Sequence, residues 1–183
     1  MAAAWALLDE EERARAARYR LTEVRQRFVV VRAALRRLLA AYCERPAAAL
    51  RLTYGAHGKP ALSDCPCVHF NLSHTAGLAL CAVSSQPVGV DVERLREVGE
   101  GAARFVLTAE ERQLLDEAGG GSSALLRLWV RKEALLKGTG EGLQHPKRVS
   151  TLHPPRGWEV IDVVPAQGYV AAVAVKVPAG RTP

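Results

Sequence analysis

The chain has 183 residues, 49% hydrophobic and 24% charged, a composition that describes a folded protein and excludes an intrinsically disordered one. No apolar run approaches the roughly 18–20 residues a membrane span needs. The formal charge is +6 and uneven: residues 1–51 hold 11 basic and 6 acidic residues and the remainder 14 and 13, so the excess lies at the N-terminal end and favours an anionic partner.

The first residues, MAAAWALLDEEERARAARYR, lack the basic region and longer apolar core of a secretory signal, so a cytoplasmic protein is expected. Residues 8–20 and 22–42 contain no Gly or Pro and read as helices. In the second, Val24, Phe28, Val31, Leu35, Leu38 and Leu39 recur at helical spacing, with Arg25, Arg32 and Arg36 off the stripe on an expected solvated face. GAHGKPAL (55–62) is rich in turn formers. VHFNLSHTAGLALCAVSSQPVGVDVERL (68–95) reads as three strands separated by HTAG and SSQP.

Helical signals return at LTAEERQLLDEA (107–118), where Thr108 and Glu111 form a capping-box pattern. GGGSS ends that helix. ALLRLWVRKEALLKGTGEG (124–142) is another, expected to be stopped by Gly138, Gly140 and Gly142. WEVIDVVP (158–165) and GYVAAVAVKV (168–177) read as strands. GLALCAV and GYVAAVAV share a character of glycine followed by small apolar residues, which hints at two similar halves joined near residues 94–104. The expected class is α+β, antiparallel sheets with helices on one side. Cys43, Cys65, Cys67 and Cys81 lack the spacing of a zinc site and are expected to be free thiols.

Three constellations carry chemistry. Asp91 and Glu93 are i and i+2 on a strand, so they share a face with Gly89, about 6.6 Å apart along the chain, while Val88, Val90 and Val92 point the other way. Two such carboxylates repel unless a cation lies between them, and Mg²⁺ takes one or two carboxylates plus phosphate oxygens. An exposed acidic strand face is the alternative. On the later helix, Trp129, Lys132, Glu133, Leu136 and Lys137 share an arc. That offers a third carboxylate between two ammonium groups, or simply an i,i+4 ion pair. Third, Ser73 and His74 in HFNLSHTAG, with Lys59 in GKP, are suited to phosphate or sugar. They also fit ordinary turn and surface positions, and adjacent strand residues make a poor nucleophile–base pair.

The series GKP, FNLSHT, VGVDVE and WVRKEALLKGTGEGL, preceded by RARAARYRLTEVRQRFVVVRAALRR (13–37), resembles the 4′-phosphopantetheinyl transferases, in particular their larger two-half, Sfp-type class that activates surfactin synthetase. The resemblance covers roughly residues 9–177. It implies a pseudo-dimer of two α+β halves, here 1–98 and 99–183, with coenzyme A in the cleft between them. It implies transfer of the phosphopantetheine arm to a serine of an acyl or peptidyl carrier protein, releasing 3′,5′-ADP. By motif match, Asp91, Glu93 and Glu133 would bind Mg²⁺, Glu133 would deprotonate the serine and Lys137 would assist the leaving phosphate. Ser73 and His74 would bind the nucleotide, with Lys59 and Arg15, and also Arg27, near its phosphates. A monomer is expected, with no nucleic acid or membrane partner. Members of the class carry a further stretch ahead of the position of Trp5, so the edge strand it contributes is expected to be missing or replaced.

A basic nucleic-acid-binding module using Arg15, Arg18, Arg25 and Arg32 is the other reading, weakened by 5% aromatic content and the lack of a stacking or groove-reading motif. A catalytically inactive docking relative is a third.

Overall fold

The computed structural model describes residues 1–142 and 146–178 and divides into two compact units, Met1–Thr53 with Leu62–Val68, and Tyr54–Ala61 with His69 onward. No helix among the described residues is long and apolar enough to cross a membrane.

The first unit is helical. After a single turn, α1 (Ala2–Trp5), come α2 (Glu10–Ala17) and α3 (Thr22–Cys43). Asp9 caps α2 in a reciprocal box with Glu12. Leu8, Ala16, Val29 and Ala33 form its core, with Phe28 against them. The expected stripe on α3 is partly wrong. Leu38 is exposed, while Arg32 and Arg36 are buried. The reason lies in α2: the Arg36 guanidinium binds Asp9 and Glu12, and also donates to the Ala47 and Leu50 carbonyls at 3.1 and 3.0 Å. Arg32 approaches Glu12 at 3.5 Å. Two arginines expected on a solvated basic face are thus spent inside the fold, and the nucleic-acid reading loses Arg32 as a phosphate contact.

The second unit is α+β. Two short strands, β1 (Leu52–Tyr54) and β2 (Pro60–Leu62), each with residues assigned to both units, pair around the GAHG turn. Strands β3 (His69–Thr75) and β4 (Leu78–Ser84) form a hairpin in the register Ser73↔Leu80, closed by Ala76 and Gly77, whose φ of 83° favours glycine. A separate antiparallel sheet has the order β5-β7-β6, from β5 (Val88–Arg94), β6 (Trp158–Val163) and β7 (Tyr169–Lys176). All five of these longer strands lie where alternation and turn chemistry place them.

Helices α4 (Glu100–Val106), α5 (Ala109–Glu117) and α6 (Ser122–Thr139) complete the unit. Thr108 caps α5 with Glu111, as its spacing predicts. The short helix α4 begins inside the stretch read as a junction, residues 94–104, and runs past its end. Helix α6 crosses one face of the sheet. Its Leu126, Val130, Ala134, Leu135 and Leu136 pack on Val170, Ala172 and Ala174 of β7, and each fully buried leucine contributes about 1.5–3 kcal/mol. In register, Ala174, Ala172 and Val170 stand opposite Gly89, Asp91 and Glu93, so the two carboxylates belong to the face beneath α6.

Gly138 does not stop α6. It lies inside the helix, which ends at Thr139 and is capped two residues after Gly138 by Gly140, a left-handed cap whose amide returns to Leu136 C=O at 2.9 Å. Gly138 is needed instead for packing. A Cβ there would meet the Trp158 ring at 2.6 Å, and a Cβ on Gly89 would lie 2.0 Å from Ala134 O and 2.3 Å from Gly138 N. Helix and strand touch backbone to backbone at this point.

Candidate functional site

The site is built where β5, the sheet's edge strand, passes under the last turns of α6. Both faces of β5 are covered: Val88, Val90 and Val92 are buried on one and Asp91, 3% exposed, on the other. An exposed acidic strand face is thereby excluded for Asp91. The edge of β5 away from β7 is satisfied by side chains rather than by a ladder. Asn71 Oδ1 accepts from Val90 N–H at 2.9 Å, and Ser73 Oγ from Val92 N–H at 3.4 Å. Ser73 Oγ in turn donates to Asp91 Oδ1 at 2.7 Å, and Thr75 Oγ1 to Glu93 Oε2 at 3.5 Å. Asn71, Ser73 and Thr75 are alternate residues of β3, so one face of that strand reads the edge of β5.

Lys137 reaches across from α6. Its ammonium donates to Asp91 Oδ1 at 2.5 Å and to Ser73 Oγ at 3.2 Å, and lies 3.5 Å from Glu133 Oε2. Asp91 Oδ2 is buried and has no hydrogen-bond partner among the described residues. Burial pushes the Glu133 carboxyl above the ordinary glutamate range, the negative charge of Asp91 adds to the rise, and Lys137 opposes it. Glu93 also raises it, so the three acids feel one another, although among the described residues no three ligand-type side chains converge as a ready-made metal cage. Glu93 is further held by Arg96 at 3.4 Å.

Beside this cluster is a cavity of about 310 Å³, lined by His57, Lys59, Asn71, Leu72, Lys137 and Gly140 among others. The Lys59 ammonium donates to Val88 C=O at 3.1 Å and Gly138 C=O at 2.7 Å, and burial lowers it from the ordinary lysine value. His74 is exposed on the opposite face of β3 from Ser73. Arg15 belongs to the first unit, where its guanidinium lies 5.6 Å from the centre of the Phe28 ring.

Lys132 is not in the cluster. It is completely buried, paired with Glu111 and donating to Val106 C=O at 2.9 Å. Glu111 also accepts from Thr151 N–H and Oγ1 at 2.8 and 2.9 Å. Burial opposes its charge, but these bonds and Lys132 hold its carboxyl below the ordinary range. Lys132 and Glu133 do not share a face: residues one apart on a helix diverge by about 100°, and here Lys132 meets Glu111 of α5 while Glu133 meets Lys137 and the charge of Asp91. Asn71 is the polar residue that sequence reasoning missed, although Asn71, Ser73 and Thr75 already alternate in FNLSHT. Leu143, the last residue of the WVRKEALLKGTGEGL motif, lies outside the described residues.

Comparison with known proteins matches residues 87–173 to the 4′-phosphopantetheinyl transferase superfamily and residues 1–86 to the 4′-phosphopantetheinyl transferase N-terminal family. The chain is 36% identical to the 4′-phosphopantetheinyl transferase HetI of a Nostoc species over 189 residues, covering 93% of this chain and 79% of that protein. It is 35% identical to Sfp of Bacillus subtilis over 99 residues, covering 53% of this chain and 44% of the relative. It is 31% identical to psf-1 of Bacillus pumilus over 137 residues, covering 74% and 59%. The strand and helix that carry the acid–lysine cluster both fall inside the first matched region, and with the second region and the Nostoc relative accounting for nearly the whole sequence, the chain belongs to the 4′-phosphopantetheinyl transferase superfamily and is a transferase.

Proposed function

We propose that this transferase moves the 4′-phosphopantetheine arm of coenzyme A to a serine of an apo acyl or peptidyl carrier protein, in the manner of the Sfp-type class. The observation that carries the reading is the cluster at Asp91. A buried carboxylate with one oxygen held by Lys137 and Ser73, and the other without a hydrogen-bond partner among the described residues, stands beside a second carboxylate of raised proton affinity. Such an arrangement is costly in a protein core and suits a site that receives cations and phosphate oxygens.

The donor set fits Mg²⁺. The orphaned Asp91 oxygen, with Glu93 and Glu133, supplies the hard carboxylates such an ion takes, and phosphate oxygens complete its shell. When bound, the ion neutralises charge on the pyrophosphate of coenzyme A. The remaining chemistry belongs to the chain. Glu133, with its raised affinity for a proton, takes the hydrogen of the carrier serine. The serine oxygen forms a bond to the phosphorus that carries the pantetheine arm, and the bond from that phosphorus to the bridging oxygen breaks. Lys137 places its ammonium against the departing 3′,5′-ADP phosphate. Ser73 orients Asp91. His74 and Arg15 are proposed nucleotide contacts on motif match alone.

The cavity supports placing coenzyme A between two halves, 1–98 and 99–183. Its lining includes His57, Lys59 and Asn71 before that boundary and Leu136, Lys137 and Gly140 after it, all within the second compact unit. A pseudo-dimer acting as a cytoplasmic monomer is part of the proposal. Incubating apo-carrier proteins with the chain, coenzyme A and Mg²⁺, and weighing them by mass spectrometry, tests the reaction. A gain of one phosphopantetheine on the carrier serine is expected. No gain on any acyl or peptidyl carrier would overturn it, and full activity in Asp91→Ala would overturn the site.

A further inference from the structure

A lysine on a Gly-Lys-Pro turn at the rim of a cavity is expected to aim its charge at an anionic ligand. Lys59 does not. Two of its three ammonium hydrogens go to backbone carbonyls, Val88 at 3.1 Å and Gly138 at 2.7 Å. Each acceptor has a reason to need a cation. Gly138 lies in the last turn of α6, where carbonyls have no partner within the helix and the helix dipole is negative. Val88 opens β5, on the edge whose later groups, Val90 N–H and Val92 N–H, are satisfied by Asn71 and Ser73.

These two carbonyls flank the close approach of β5 to α6. Gly89 follows Val88, and a Cβ there would lie 2.3 Å from Gly138 N. Asp91 is three residues beyond Val88, and Lys137 directly precedes Gly138. The ammonium therefore ties the root of the strand that carries Asp91 to the end of the helix that carries Glu133 and Lys137.

We propose that Lys59 is a positioning residue for the transfer reaction, clamping β5 to α6 and so setting the separation of Asp91 from Glu133 and Lys137, and that it is not a ligand of a substrate phosphate. The inference rests on the transferase reading above. Displacement of catalytic groups by about 1 Å costs on the order of 100-fold in rate, so the clamp acts on turnover rather than on affinity.

The test compares Lys59→Met, which keeps the aliphatic stem and loses every donor, with Lys59→Gln, which keeps N–H donors without charge. Lys59→Met should lower kcat by about tenfold or more, with KM for coenzyme A and Kd for adenosine 3′,5′-bisphosphate changed by no more than about threefold. Lys59→Gln should recover most of the lost kcat. Amide hydrogen exchange of residues 136–140 should quicken by about tenfold in Lys59→Met, a readout that needs no turnover. A tenfold loss of bisphosphate affinity with kcat retained, equal damage in both variants, or unchanged exchange would each overturn the clamp. So would failure of both variants to fold, which would make Lys59 a determinant of the fold alone. A wild-type chain that modifies no carrier would instead bring down the functional reading while leaving the exchange result standing, so the two failures are told apart.

Discussion

Lys137 Nζ lies 2.5 Å from Asp91 Oδ1, joining α6 to β5 across 46 residues of sequence. The pair is asymmetric: Asp91 is buried, whereas the Lys137 side chain keeps 27% of its surface exposed. Lys137→Met should destabilise the fold, because it leaves the buried Asp91 carboxylate with the Ser73 hydroxyl and without its cation, while transfer to a carrier falls by about 100- to 1,000-fold through loss of charge at the leaving phosphate. Steady-state rates beside a thermal melt check both halves of the statement.

Glu133 gives the site a pH signature. Its carboxyl is raised above the ordinary value of 4.5. Between that value and the raised one, the folded chain holds more proton than the unfolded chain, so this group's contribution to stability declines as pH rises through the window. Glu133→Gln removes the decline. The variant should melt above wild type at neutral pH, with each kcal/mol recovered worth about 2–4 °C, and the gap should close as pH falls below 4.5. Its transfer activity should drop by about 100- to 10,000-fold.

Gly89→Ala tests the backbone contact. The added methyl would lie 2.0 Å from Ala134 O, an atom of the helix frame that no rotamer change can move. Overpacking of this kind costs about 1–3 kcal/mol or more, and it forces β5 from α6, so stability and activity should fall together. Denaturant unfolding and a carrier assay on the same sample measure both.

Lys132→Met leaves Glu111 charged in a sealed position among Thr108, Thr151 and Val106. Breaking a buried pair from one side costs about 3–5 kcal/mol. The double replacement Lys132→Met with Glu111→Leu should recover a large share of that loss. Thermal melts of the three proteins settle it, and a null effect of the single change would contradict the buried pairing.

Local rules worked where local physics decides. The Thr108–Glu111 cap, the hairpin at Ala76–Gly77 and the β5 alternation depend on neighbours in sequence, and all can be read there. Asp91, Glu133 and Lys137 converge in the fold as the motif order implied, since a strand and a helix that share one core must meet. What could not be read was partner choice across distance. Nothing near Arg36 announces that Asp9 and Glu12 will claim it from 27 and 24 residues away. Lys132 and Glu133 are chemically equivalent candidates in WVRKEALLKG, and only the position of Glu111 separates their roles. Gly138 resembled a stop signal because its use, admitting Gly89 and Trp158, is a tertiary one.

The outer edge of β5 is bonded by Asn71, Ser73 and Lys59, not by another strand. A backbone ladder is blind to side-chain identity and survives almost any substitution along it. A seam stitched by side chains has no such tolerance, since each stitch is encoded by one codon and is lost with it. The β3–β4 hairpin is therefore held to the strand that carries Asp91 by a genetically fragile joint, and inactivating substitutions should accumulate along it more densely than along the β5–β7 ladder on the other side of the same strand.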